Sequence, residues 1–367
     1  MDNVFDFRNR LINEYSSFSR SFSKVSAQDI LSKVELEYDR GRYWPEPLIQ
    51  INPNYKRQST VQQLAHEGML HASCSHIFQT GKTEGKAADL HLYVHQLQAL
   101  AKAQKQQSYV VTTGTGSGKS LAFFVPIIDR ILKAKAADPQ KRTRAIVIYP
   151  MNALANSQLE ELDKFLHGYP DDQKPFTVAR YTGQESDADR KQIADNPPDI
   201  LLTNFMMLEL ILTRFEDVDR RVVEHCQGLE FLVLDELHTY RGRQGADVAL
   251  LVRRLRERLQ ASQLVCIGTS ATMSSTGTQA DRNQTVASVA SLLFGAQITE
   301  HDVIGETLER VTNPAKDIEA VKSLLKPALL KESYHWPDFA AFGDDPLAVW
   351  VELSLGIELP LDEPPRR

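Results

Sequence analysis

"SYVVTTGTGSGKSLAFF", residues Ser108–Phe124, sets a β-branched run, three glycines and a lysine ahead of an apolar stretch. Leu121, Val125, Ile128 and Leu132 fall at steps of four, three and four, which puts them on one face of an α-helix. "YVVTT" has the composition of a buried strand. A strand that turns sharply into a helix offers inward-facing backbone N–H groups and the positive end of the helix dipole, which together cradle an anion. Glycines at 114, 116 and 118 permit that turn. Lys119 can then reach the β- and γ-phosphates of a nucleotide, and the Ser120 hydroxyl can ligate Mg²⁺. Residues 113–120 therefore match a phosphate-binding P-loop, with Thr113 where the general pattern has its first glycine. Pro126 predicts a kink in the helix that follows.

Working outward, "RAIVIY", "FTVARY", "DILLT", "EFLVLDE" and "LVCIGTS" are further strand-like runs, most of them separated by stretches of helical spacing. Val248, Val252, Leu255 and Leu259 form one such helical stripe. Alternation of this kind predicts an α/β fold with a parallel sheet covered by helices on both faces. The run "LEFLVLDELH" ends in Asp235 and Glu236, 116 residues after Lys119. Parallel topology can return that acidic pair to the P-loop. There Asp235 would hold Mg²⁺ through water and Glu236 would orient and deprotonate an attacking water. Taken alone, an Asp-Glu pair after a strand is equally a solvated loop; the P-loop gives it its meaning.

The organisation expected along the chain is an accessory, mainly helical region over residues 1–88, a nucleotide-binding domain over 89–300, and a linker or the start of a truncated domain over 301–367. "PEPLIQINPNYKRQ" reads as irregular, and "GIELPLDEPPRR" as a Pro-rich tail. With 42% hydrophobic and 25% charged residues the composition is that of an ordinary globular protein. A formal net charge of −6 excludes a global basic field, so any nucleic-acid site must be a local patch. Three widely spaced cysteines fit a reducing compartment, and no leader or apolar span is read, so the cytoplasm is expected and a membrane is not.

"TGTGSGKS", "DELH" and "GTSAT" (Gly268–Thr272), in this order, resemble motifs I, II and III of superfamily-2 DExH-box helicases. "LYVHQ" (Leu92–Gln96) resembles the adenine-reading Q-type motif, "YPMNALANSQ" (Tyr149–Gln158) motif Ia, and "TNFMML" (Thr203–Leu208) the next strand-contacting motif. Tyr240-Arg241-Gly242 after the box resembles the Lhr-like and DUF1998-associated branch, which includes helicase subunits of bacterial repair and anti-phage defence systems. The resemblance covers about residues 90–300. It implies one RecA-like ATPase domain that uses ATP and Mg²⁺ and acts on DNA. It also implies nucleotide contacts from Gln96, Thr115, Gly116, Ser117, Gly118, Lys119 and Ser120, with Gln96 reading the adenine. His238, Ser270 and Thr272 would couple nucleotide state to strand grip.

By the same resemblance Pro150, Asn152, Thr203 and Asn204 lie near one DNA strand. Capping and turn duty is the competing role for such Asn and Thr residues. Arg241 and Arg243, close to the box, are better DNA candidates than Arg253, Arg254, Arg256 and Arg258, whose helix face is the ordinary solvated kind. Two histidine groups are set aside as metal sites: His71, Cys74 and His76, with nearby His66, lack a ligand spacing, and His91 with His95 lacks the acidic neighbour, Leu92 standing there instead. No Q-x-x-G-R-x-x-R-type motif follows Thr272, so the chain is expected to hold the front half of a motor and to need a second RecA-like domain or a partner subunit. An early end, a split gene and a lost activity all remain open. A nucleotide-binding regulatory scaffold is the alternative function.

Overall fold

The computed structural model describes residues 3–22, 24–42, 44–45, 54–114, 116–271, 278–331, 335–359 and 365. Thr115, Thr272, most of the irregular stretch after Pro45 and most of the Pro-rich tail lie outside the described residues. The chain divides into two compact units, Met1–Ile51 and Asn52–Arg367. Two helices, Val4–Ser21 and Gln28–Asp39, build the first unit. The Asn3 side chain accepts from the amides of Phe5 and Asp6 to cap the first helix. Arg20 joins the two helices, lying 2.5 Å from Glu35 and over the Tyr38 ring at 4.4 Å.

The second unit is organised by seven strands: β1 Tyr109–Thr112, β2 Ala145–Tyr149, β3 Val178–Tyr181, β4 Ile200–Asn204, β5 Phe231–Leu234, β6 Val265–Ser270 and β7 Val303–Gly305. They form one sheet in the order β7-β1-β6-β5-β2-β4-β3, with every pairing parallel. Alternate residues enter opposite cores: Ala145, Val147 and Tyr149 join one cluster, and Ile146 and Ile148 the other. Burial on both faces is why these strands read as unbroken apolar runs. This is the expected α/β, RecA-like arrangement, and the first six strands are the six runs read from the sequence.

Helix Leu121–Ala137 carries the P-loop stripe into the first core and continues for 17 residues with Pro126 inside it. In helix Gly242–Arg258 the buried positions are Val248, Leu251, Val252 and Leu255, with Leu259 buried just beyond its end. No helix among the described residues is long and apolar enough to cross a membrane. Cys74, Cys226 and Cys266 are unbridged and buried.

Structure continues across both boundaries read at residues 88 and 300. Arg57–Thr60 pairs antiparallel with His91–Tyr93, and Thr60 closes a capping box on helix Val61–His66. On the far side, β7 pairs with β1 at the edge of the main sheet. Three residues give no period, and the pairing partner lies about two hundred residues away, so no local pattern announces this strand.

Candidate nucleotide site

The P-loop and the acidic pair stand at the carboxyl edge of the sheet, where β1 and β5 end and the loops to the helices begin. The P-loop follows β1. Gly116 and Gly118 have φ of +80° and +69°, in the left-handed region that suits glycine. A Cβ on Gly118 would also come within 2.7 Å of the Gln96 amide nitrogen. The loop is braced from beneath by helix Val94–Gln104: Gln96 Nε2 donates to Gly118 O at 2.8 Å, and His95 Nε2 donates to Ser117 O at 3.0 Å. Burial lowers the His95 pKa to about 4, partly offset by the Ser117 carbonyl, so the ring is neutral with its proton on Nε2. Thr113 and Ser117 hydroxyls meet at 2.6 Å, and Lys119 Nζ donates to Thr113 O at 3.1 Å.

The acidic pair follows β5. Lys119 Nζ stands 4.0 Å from Glu236 Oε1, so the distant halves of the site do meet. Burial holds the Asp235 carboxyl above its ordinary range. The Thr269 hydroxyl opposes that rise, neighbouring Glu236 adds to it, and Lys119 opposes it. Thr269 Oγ1 donates to Asp235 Oδ1 and accepts from Glu236 N at 3.1 Å. Glu236 has φ +53° and ψ +57°, left-handed backbone that costs a non-glycine residue about 1–3 kcal/mol. Its Oε2 is buried and lies 3.2 Å from His238 Nδ1, off the hydrogen-bond direction. His238 Nδ1 is also 3.4 Å from Ser270 Oγ, which bridges the ends of β5 and β6.

A Mg²⁺ ion fits this donor set. Asp235 is a half-buried carboxylate whose charge is only partly offset, and Glu236 adds a second carboxylate with an under-satisfied oxygen. No group of three or more His, Cys, Asp or Glu that could cage a metal forms among the described residues. At the discounted cluster, His71 Nδ1 accepts from Ser73 N and Cys74 is buried in the first core.

Two expected contacts take a different place. Gln96 is 2% exposed; its Oε1 accepts from Tyr93 N and its Nε2 donates to Gly118 O, so both ends of its amide are taken up by the chain itself. Thr203 is fully buried and donates to Tyr181 O at 2.6 Å, which removes its side chain from any strand path. Asn204 takes up the capping role, accepting from Met207 N at 2.7 Å. It also donates to Asn152 Oδ1 at 2.7 Å, tying the ends of β2 and β4 together. Pro150 and Asn152 remain partly exposed at this edge, and Arg241 and Arg243 are exposed at the start of helix Gly242–Arg258. Arg253 and Arg256 donate to the carbonyls of Leu292 and Phe294, and Arg254 grips Glu209 with both terminal nitrogens.

Sequence reading passed over Thr269, His95 and Thr113 as site residues. Thr269 stands inside the quoted "GTSAT" stretch, directly before Ser270. Strand register exposes its part, because Gly268 pairs with Leu234 and the next positions are Thr269 and Asp235, side by side.

The fold and this edge define a RecA-like P-loop motor domain. Residues 93–280, just over half of the chain, match the DEAD/DEAH box helicase family, and the chain belongs to it. The uncharacterized ATP-dependent helicase YprA of Bacillus subtilis is 35% identical over 184 residues, 50% of this chain and 23% of its own. The Lhr helicase/uracil glycosylase of Escherichia coli is 32% identical over 186 residues, 47% of this chain and 12% of its own. Among solved structures, the DUF1998 helicase MrfA bound to DNA is similar with a TM-score of 0.52 and 25% identity, over 76% of this chain and 35% of that one. The chain thus spans less than a quarter of the length of these two curated relatives.

Proposed function

We propose that this chain is the ATP-binding motor portion of a DNA helicase or translocase, working in the cytoplasm with a second RecA-like domain supplied by another segment or subunit. The observation that carries the reading is the meeting of Lys119 with Glu236 at 4.0 Å, beside a half-buried Asp235 that feels the charge of both. The amides of the P-loop and the N-terminus of helix Leu121–Ala137 bind the phosphates, and Lys119 exchanges Thr113 O for a phosphate oxygen. Thr115 contributes to the same loop. Ser120 and Asp235 would hold Mg²⁺, which would supply positive charge to offset that of the phosphates. Glu236 accepts the proton of the water that attacks the γ-phosphorus as the bond to the bridging oxygen breaks. Gln96 fixes the loop beneath the nucleotide in preference to reading its base.

His238, Ser270 and Thr272 carry the coupling; the contact of Ser270 with His238 joins the end of the acidic strand to the end of its neighbour. The strand runs past Pro150, Asn152 and Asn204, where amides and small polar groups meet phosphates without sequence preference, and Arg241 and Arg243 add charge. Likeness to a DNA-bound MrfA supports DNA as the polymer. An arginine from a second domain would be worth about 10³–10⁵ in rate, so turnover by this chain alone is slow.

The test is ATP hydrolysis by this chain together with its second RecA-like domain, with and without single-stranded DNA. DNA is expected to stimulate turnover, and Glu236→Gln to lower it by about 10²–10⁴-fold, the range of a general base. If DNA changes neither nucleotide affinity nor turnover, the motor reading fails and a nucleotide-binding scaffold takes its place.

A further inference from the structure

One carboxylate outside the helicase-like motifs reaches the phosphate loop. β7 runs beside β1 with Gly305 opposite Thr112, and Thr112 Oγ1 donates to Ile304 O at 3.3 Å. The next residues on the two strands are Glu306 and Thr113. Glu306 Oε2 accepts from the backbone N–H of Gly114 at 3.0 Å. The other end of β7 is fixed as well, because Lys102 Nζ lies 2.7 Å from Asp302. Lys102 belongs to helix Val94–Gln104, which also supplies His95 and Gln96. One helix therefore holds the loop's carbonyls directly and anchors the strand that holds its amide.

Gly114 adjoins Thr113, whose carbonyl receives the Lys119 ammonium. An acceptor on Gly114 N–H fixes the peptide plane between these two residues, and with it the direction of Thr113 O. We propose that Glu306 is a positioning residue for nucleotide binding: it holds the leading arm of the P-loop and so sets the place from which Lys119 meets the phosphates. The inference rests on the nucleotide reading above. The required feature is the acceptor oxygen, not the charge, since a carboxylate beside a triphosphate is itself unfavourable.

Binding of a fluorescent ATP analogue with Mg²⁺ to the full chain tests this. Glu306→Ala is expected to weaken binding about 10-fold, as loss of a hydrogen bond to a charged group does. Glu306→Gln, whose amide oxygen can take the same N–H, is expected to stay within about 2-fold of wild type. Thermal unfolding of all three proteins is followed in parallel. Wild-type affinity in Glu306→Ala, equal loss in both variants, or a loss that merely tracks a lower unfolding midpoint would each overturn the proposal. Failure of the wild type to bind the probe overturns the nucleotide reading itself, whereas wild-type binding with an unaffected Glu306→Ala overturns only this inference.

Discussion

β5 has a carboxylate at each end, and the two ends are treated in opposite ways. At its entry, Glu230 receives Arg130 at 2.6 Å and Arg142 at 2.8 Å, with Arg144 at 3.6 Å. At its exit, five residues on, Asp235 has one threonine hydroxyl and a share of Lys119, and burial holds it above the usual carboxylate range. Glu236 beside it sits in left-handed backbone with an under-satisfied oxygen. The entry end is satisfied by the protein. The exit end is left short of positive charge and strained, as a site is when the missing charge arrives with a ligand.

Three variants sharpen the contrast. Glu230→Ala leaves the guanidinium of Arg144, which is 1% exposed, with Asp199 at 3.6 Å as its remaining close carboxylate, and is expected to cost about 2–3 kcal/mol in urea unfolding. That is less than the loss of a fully buried pair because Arg130 and Arg142 are partly in water. A cost near zero would mean the entry cluster contributes nothing.

Asp235→Asn should act with the opposite sign. A carboxyl raised in the folded state loses stability as pH climbs from its unfolded value through the raised one, so the amide variant gains over wild type in that window and above it. The expected result at neutral pH is a higher unfolding midpoint than wild type, a gain that vanishes at acid pH where Asp235 is neutral in both states. ATP turnover is lost in the same variant. A lower midpoint at pH 7 would show that Asp235 is well satisfied after all. Arg254→Ala sets the baseline. Its pair with Glu209 lies at the surface, so the expected loss is about 0.5 kcal/mol or less, and a larger one would mark that pair as part of an interface.

Legibility in the sequence followed locality. Lys119, Asp235 and Glu236 could be read because each stands where a strand ends, and strand, turn and helix each leave a short-range pattern. Six strands were visible for the same reason. β7 was not, being three residues long and defined by a partner far away in the chain. Gln96 and Thr203 were recognised as residues at the site, but their side chains turned inward to the P-loop and to Tyr181, a choice made by which carbonyls needed donors. Thr269 required the register between two strands.

What the sequence determined by itself was the α/β alternation and the phosphate loop, since backbone permissiveness, helical spacing and strand composition are properties of neighbouring residues. Tertiary structure decided which groups share a charge: that Lys119 meets Glu236, that Thr269 holds Asp235, and that Glu306 reaches Gly114. Those contacts depend on strand order and register, which only packing the whole sheet can set, because each joins residues brought together by burial on both of its faces.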